Sequence, residues 1–173
     1  MHYSVLVLTE TNCFDLDEIM SIYSEDIDCV PDEHLVFISA TEAYNDLYRD
    51  SYANFEEYFE DVEENPQDFG YIFDEERGEY GYWHNPTSEW DWYEVGGRWS
   101  NFYLLDDEGH AYNEGYLGEL EWRLDEDSNK LLAPYAIIDI DGNWITQEET
   151  DFNTIFKEAI ENNYYATIVD CHS

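Results

Sequence analysis

His84, Asp91, Arg98 and His172 are the residues whose types suit chemistry, and the first three fall in one aromatic, glycine-bearing stretch from Tyr82 to Trp99. A carboxylate, a guanidinium and imidazoles among Trp and Tyr rings have the make-up of a ligand pocket, with apolar walls and a few polar groups to orient a small molecule. The stretch reads more readily as a core module. On an extended strand Trp90 and Trp92 share one face, and Asp91 and Tyr93 the other. Gly96-Gly97 admits positive φ or close backbone approach, while Arg98 forks onto a carboxylate and Trp99 packs.

Spacing argues against the other chemistries. No His or Cys pair at i, i+3 or i, i+4 supports a zinc site. Cys171-His172 makes a poor nucleophile and base, because neighbours on a strand face opposite ways. Asp125 to Asn129 begins like a calcium loop, but its sixth position is Lys130 where the turn needs Gly, and its twelfth is Ala136 where the ion needs Glu. Glycine-rich phosphate loops are missing too. The expectation is therefore no catalytic residue, no metal and no cofactor.

What dominates the chain is its charge. Six Lys plus Arg stand against 43 Asp plus Glu, for a formal net charge of -37 over 173 residues. With 43% hydrophobic and 18% aromatic residues it still has the material for a core, unlike an acidic disordered tail. Eight Ala against 16 Tyr and 12 Asn does not fit the Ala-rich surface of a halophile. Like-charge repulsion argues against direct binding to DNA, RNA or an anionic membrane, and favours a basic partner. Crowded carboxylates repel, which predicts raised pKa values and stability that rises as pH falls from neutrality.

The densest acidic run is Glu56, Glu57, Glu60, Asp61, Glu63 and Glu64. On a helix Glu56, Glu60 and Glu64 form one row, with Glu57 and Asp61 beside it, and the rise of about 6 Å per four residues is comparable with the spacing of phosphates along a strand. Like charges at i, i+4 destabilise a helix by about 0.2–0.5 kcal/mol per pair, so the pattern suggests selection for the surface. Asp74, Glu75 and Glu76 form a second cluster, and Asp125, Glu126 and Asp127 another.

These residues need elements to carry them. Tyr3–Thr9 and Tyr164–Asp170 read as buried strands, Val36–Ile38 as a brief one, and Arg98–Leu105 and Pro134–Ile140 as two more. Asp141-Gly142 signals a type I′ hairpin returning through Asn143 to Thr146. A short helix is expected over Asp15–Tyr23. Tyr44, Leu47, Tyr48, Phe55, Tyr58, Phe59 and Val62 trace a helical stripe from Thr41 onward, with Asn54 and Glu57 as a cap and Asn65-Pro66 as the stop. Asp151 caps a last helix with an apolar face of Phe152, Ile155, Phe156, Ala159 and Ile160. No linker or boundary shows, so residues 1–173 read as a single α+β domain, a mainly antiparallel sheet with helices packed on one face. Cys13, Cys29 and Cys171 are too few and too scattered for a disulfide framework. The apolar run Val5–Leu8 is too short for a signal or a membrane span, which points to the host cell cytosol.

The segment Asn85 to Trp99 resembles a group of small phage and prophage proteins with an N-P-x-x-x-W-D-W-Y-x-x-G-G-R-W signature, whose closing strand ends in a pattern similar to Val169-Asp170-Cys171-His172. Where those proteins carry Lys before W-D-W-Y, this chain has Glu89. The resemblance implies a phage-type protein and brings no activity with it. In composition alone the chain also resembles phage antirestriction and anti-CRISPR proteins that imitate DNA. The expectation is a DNA-mimic inhibitor that occupies the basic groove of a DNA-binding host defence protein, a CRISPR effector or restriction enzyme. The alternative is a small enzyme or ligand-binding protein with an aromatic pocket around Asp91 and Arg98, flanked by His84 and His172.

Overall fold

The structure, a computed structural model, describes residues 1–124, 131–148 and 150–173. The acidic triplet Asp125–Asp127 and the start of the calcium-like loop lie outside the described residues. The fold is α+β and mostly antiparallel. Its strands are β1 (His2–Thr9), β2 (Val36–Ser39), β3 (Ile72–Asp74), β4 (Glu79–His84), β5 (Trp92–Val95), β6 (Leu104–Leu105), β7 (Ala111–Tyr112), β8 (Glu114–Tyr116), β9 (Glu121–Trp122), β10 (Ala136–Ile138), β11 (Trp144–Thr146) and β12 (Tyr165–His172). The helices are α1 (Leu16–Ser21), α2 (Ala40–Ala43), α3 (Phe55–Glu64) and α4 (Phe152–Glu161). Where the sequence shows no boundary, the contacts divide the chain into two compact units, Met1–Met20 with Glu89–Ser173, and Ser21–Ser88.

In the first unit the strand order is β11-β10-β1-β12-β5, with β8 also paired to β12. β1 and β12 run antiparallel over their whole length, from His2↔His172 to Thr9↔Tyr165, and β10 lies parallel to β1. Strands apolar at every position must bury both faces, and Val5, Leu6, Val7 and Leu8 are all buried. Leu6, Leu8, Ile137, Ala166 and Ile168 cluster with Phe152, Phe156 and Ala159 of α4. Asp151 caps that helix by accepting from the Asn153 N–H at 3.1 Å. Ile160 falls off the stripe and is 43% exposed.

Two expected elements of this unit differ. Arg98–Leu105 is not one strand: Gly97–Trp99 is a turn of 3-10 helix, and only Leu104–Leu105 is extended. Gly96 at φ 73° and Gly97 at φ 48° turn the backbone, and the Trp99 N–H closes on the Gly96 carbonyl at 2.8 Å. The β10–β11 hairpin is not type I′, since among the described residues only Asn101 and Asn163 are non-glycine positions with positive φ. The Gly142 N–H donates to the Asp139 carbonyl at 3.0 Å and the Asp139 N–H to the Asn143 carbonyl at 3.1 Å, a three-residue loop with Gly142 in the left-handed region. The Asp139 carboxylate accepts the Asp141 and Asn143 N–H groups and sets that choice.

In the second unit the order is β2-β4-β3. The stripe from Thr41 breaks into α2, a π-helical turn over Tyr44–Tyr48, and α3. Ser39 and Glu42 form a capping box on α2, and the Asn54 side chain accepts from the Glu57 N–H to start α3. Tyr58 and Val62 of α3 are fully buried against Ile38, Tyr80 and Tyr82 of the sheet. The hub is Tyr58, whose ring meets those of Tyr44, Tyr48, Tyr52, Phe55 and Phe69, and whose hydroxyl bonds Tyr71 at 2.9 Å.

Burial pushes the phenols of Tyr3, Tyr58, Tyr71, Tyr93 and Tyr103 above their ordinary value of 10.0, and a hydrogen bond to Asp61 pushes Tyr52 up to about 12. The folded state keeps protons that the unfolded chain releases. The associated stability is therefore complete below pH 10 and lost as pH rises toward the folded values. Alkaline unfolding beginning above about pH 10 is expected, with the tyrosinate absorbance of these phenols appearing together with loss of circular dichroism. If these phenols ionise in a still-folded chain, the expectation is refuted.

Candidate functional site

The sequence blocks around Trp92 and Asp170 meet as neighbouring strands. β5 pairs with β12 through Trp92↔His172, Tyr93↔Cys171, Glu94↔Asp170 and Val95↔Val169. Alternation puts His172, Asp170 and Trp92 on one face and Cys171 and Tyr93 on the other. Cys171 is fully buried, and burial pushes its thiol up to about 12, so it does not serve as a nucleophile for His172.

His172 Nδ1 lies 2.8 Å from Asp91 Oδ1, and the Asp91 N–H donates to the His172 carbonyl at 2.9 Å. That side-chain hydrogen bond holds the Asp91 carboxyl below the usual carboxylate range. Beside it, His2 Nδ1 lies 3.1 Å from Asp170 Oδ1, and the two imidazoles meet edge to face at 5.0 Å with Trp92 next to His2 at 6.0 Å. Asp170 is 1% exposed, and its Oδ2 accepts the Arg98 backbone N–H at 2.9 Å. The Arg98 contact to a carboxylate thus comes from its main chain, while the residue itself is exposed. His84 sits on β4 in the other unit, exposed, with its ring beside Tyr82. Of the four expected pocket residues, the structure joins Asp91 directly to His172. His2 and Asp170 were missed. The visible signal was a lone carboxylate in an otherwise apolar closing strand.

Other residues between Asn85 and Gly97 brace the fold. Asn85, 2% exposed, donates to the carbonyls of Ile22 and Ser24 at 2.8 and 2.9 Å and receives the Thr87 N–H at 3.1 Å. Trp90 is buried with Nε1 donating to the Met20 carbonyl at 3.1 Å, whereas Trp92 is 47% exposed. The chain bends at Asp91, so the two indoles do not share one strand face. A Cβ on Gly97 would lie 2.5 Å from the Asp170 side chain, on backbone already at φ 48°. Gly97→Ala should therefore lose about 2–4 kcal/mol. Gly142→Ala, with positive φ but open space around it, should lose only about 1 kcal/mol. Urea midpoints of the two variants check the contrast, and equal losses would remove Asp170 as the cause.

The acidic residues expected to meet a partner, 56–64 and 74–76, lie in the second unit. Glu56, Glu57, Glu60, Glu63 and Glu64 are exposed on α3. Asp61 is half-buried, accepting from the Tyr52 hydroxyl at 2.7 Å and from Asn65 Nδ2 at 3.2 Å, so it is part of the helix's packing. Asp74 binds Arg77 through its backbone N–H at 2.8 Å and Nη1 at 2.9 Å, leaving Glu75 and Glu76 exposed in the turn. Glu56, Glu60, Glu63 and Glu64 have no ion-pair partner among the described residues.

The shifts resolved for carboxylates run opposite to the crowding expectation. Glu42, Asp74 and Asp91 lie below the ordinary range, held there first by the Ser39 backbone N–H, the Arg77 backbone N–H and the His172 ring respectively. Their contribution to stability is present above the unfolded pKa and fades as pH falls through the folded one. Local hydrogen bonds outweigh distant like charges that water screens.

Comparison with protein-family models, with curated proteins and with solved structures finds no match in any of the three. Among the described residues no group of three or more His, Cys, Asp and Glu is placed to hold a metal ion, and no helix is long and apolar enough to cross a membrane.

Proposed function

We propose that this chain is an acidic decoy for nucleic acid, of phage type, which occupies the basic DNA-binding groove of a host defence protein such as a restriction enzyme or CRISPR effector. The observation that carries the reading is the outer face of α3. Glu56, Glu60, Glu63 and Glu64 project from a helix whose other face is locked by Tyr58 and Val62, and no cation among the described residues pairs with them. Carboxylates held on a rigid support lose little freedom on meeting Lys and Arg, and a highly charged surface steers its partner from a distance. Competition for the groove needs no catalysis.

The test is DNA binding by the captured partner, measured with and without this chain over rising salt. Release of DNA that weakens between about 50 and 200 mM salt supports the reading. A partner that keeps its DNA throughout sinks it.

The second reading, a small enzyme or ligand-binding protein around Asp91 and Arg98, draws support from the Asp91–His172 pair at 2.8 Å. An imidazole oriented by a carboxylate can pass a proton from its free nitrogen. An Asp91→Asn variant that displaces DNA as well as the parent, yet loses turnover or ligand binding, would favour it.

A further inference from the structure

α3 covers one face of the small sheet, and the other face carries a site of a different kind. Tyr80 and Tyr82 of β4 point toward Tyr58, so Gly81 and Trp83 between and after them point away. On that opposite face Phe37 of β2 stands in register with Trp83, and their rings meet edge to face at 5.4 Å. Beside Trp83 opens a cavity of about 520 Å3, lined by Ile27, Asp28, Val30, Asp32, Leu35 and Trp83. Its size is that of a ligand site. Its wall is apolar and aromatic, and its two carboxylates are exposed and without a hydrogen-bond or ion-pair partner among the described residues.

We propose that this cavity binds an arginine side chain presented by a protein partner. Three features select that occupant. An indole attracts a cation over its face, most effectively where the site is partly desolvated. Carboxylates at the rim accept the parallel N–H groups of a guanidinium, while Ile27 and Leu35 cover its methylene stem. The unit already holds one guanidinium by the same means, on the same indole: Arg77 lies 5.0 Å from the ring centroids of both Phe37 and Trp83, with Nη1 2.9 Å from Asp74. A second guanidinium must therefore reach Trp83 from the cavity, where Asp28 and Asp32 offset the like charge of Arg77. A phosphate or carboxylate ligand would meet Asp28 and Asp32 as like charge. Lysine, a compact and strongly hydrated charge, gains less from a flat ring. The site stands whether or not α3 is a decoy, because it uses neither the same residues nor the same face of the sheet.

Titration of the full chain with the peptide acetyl-Gly-Gly-Arg-Gly-Gly-amide, followed by NMR of the indole N–H signals, tests it. Saturable movement of the Trp83 signal is expected, with the Lys analogue at least about fivefold weaker. Asp28→Asn with Asp32→Asn should weaken the Arg peptide about tenfold or more. Glu56→Gln with Glu60→Gln removes the same amount of charge from α3 and should change it by less than about twofold. Trp83→Phe keeps a ring and should retain partial binding, read from the backbone amide signals of Ile27 and Leu35 because the variant lacks the indole. Equal binding of the two peptides, or equal weakening by both double variants, would mean diffuse attraction and overturn the proposal. So would binding of N-acetyl-arginine amide without binding of the peptide, which would assign the cavity to a free small guanidine. Failure in this titration leaves the DNA-displacement result untouched, and the reverse also holds.

Discussion

Tyr58→Ala is expected to lose about 3–5 kcal/mol, the range for truncating a large buried aromatic side chain. Tyr58 is fully buried and its ring meets five other aromatic rings: Phe55 on α3, Tyr44 and Tyr48 on the π-helical turn, Tyr52 before α3 and Phe69 in the 3-10 turn after it. No neighbour fills the space cheaply, since rigid rings reorient less readily than aliphatic chains. Truncation also strands the Tyr71 hydroxyl, which is buried and hydrogen-bonded to Tyr58 at 2.9 Å. Tyr58→Phe separates the two effects. It keeps the ring and removes the hydroxyl, so it should lose only about 1–2 kcal/mol. Urea unfolding followed by circular dichroism gives both values, and hydrogen exchange should quicken first at α3 and β4. If Ala costs no more than Phe, the aromatic cluster is not what holds Ser21–Ser88 together.

The second large effect concerns the proposed decoy. Glu56→Lys, Glu60→Lys and Glu64→Lys together should weaken displacement of DNA on the order of a hundredfold, while each single change does far less. The fold should survive within about 1 kcal/mol. All three positions are exposed opposite Tyr58 and Val62, and a row of like charges is replaced by another row of like charges. Asp107→Lys, Glu119→Lys and Glu121→Lys, all exposed and in the other unit, change net charge by the same amount. That control should retain most of the competition. Displacement that falls equally in both triple variants would assign the effect to overall charge and remove α3 from the account.

Local pattern was enough for the parts of the fold that depend on neighbours in sequence. The alternation-free runs Tyr3–Thr9 and Tyr164–Asp170 announce strands buried on both faces, and the structure pairs them throughout. The 3.6-residue stripe behind Asp151 announces α4, and Asn54 before Glu57 announces the start of α3. Net charge and the exposure of the α3 glutamates follow from composition and period alone. Tertiary structure decided the rest, because the deciding partners are far away in the chain. Arg98 leaves the strand pattern since Asp170, 72 residues on, captures its N–H and Gly97 lets the backbone close on that carboxylate. His2 and His172 become neighbours through strand register, a relation that neither local spacing nor type reveals. Tyr58 outranks the other tyrosines of its stripe because a helix period states which side faces inward but not which ring lies at the centre of the packing.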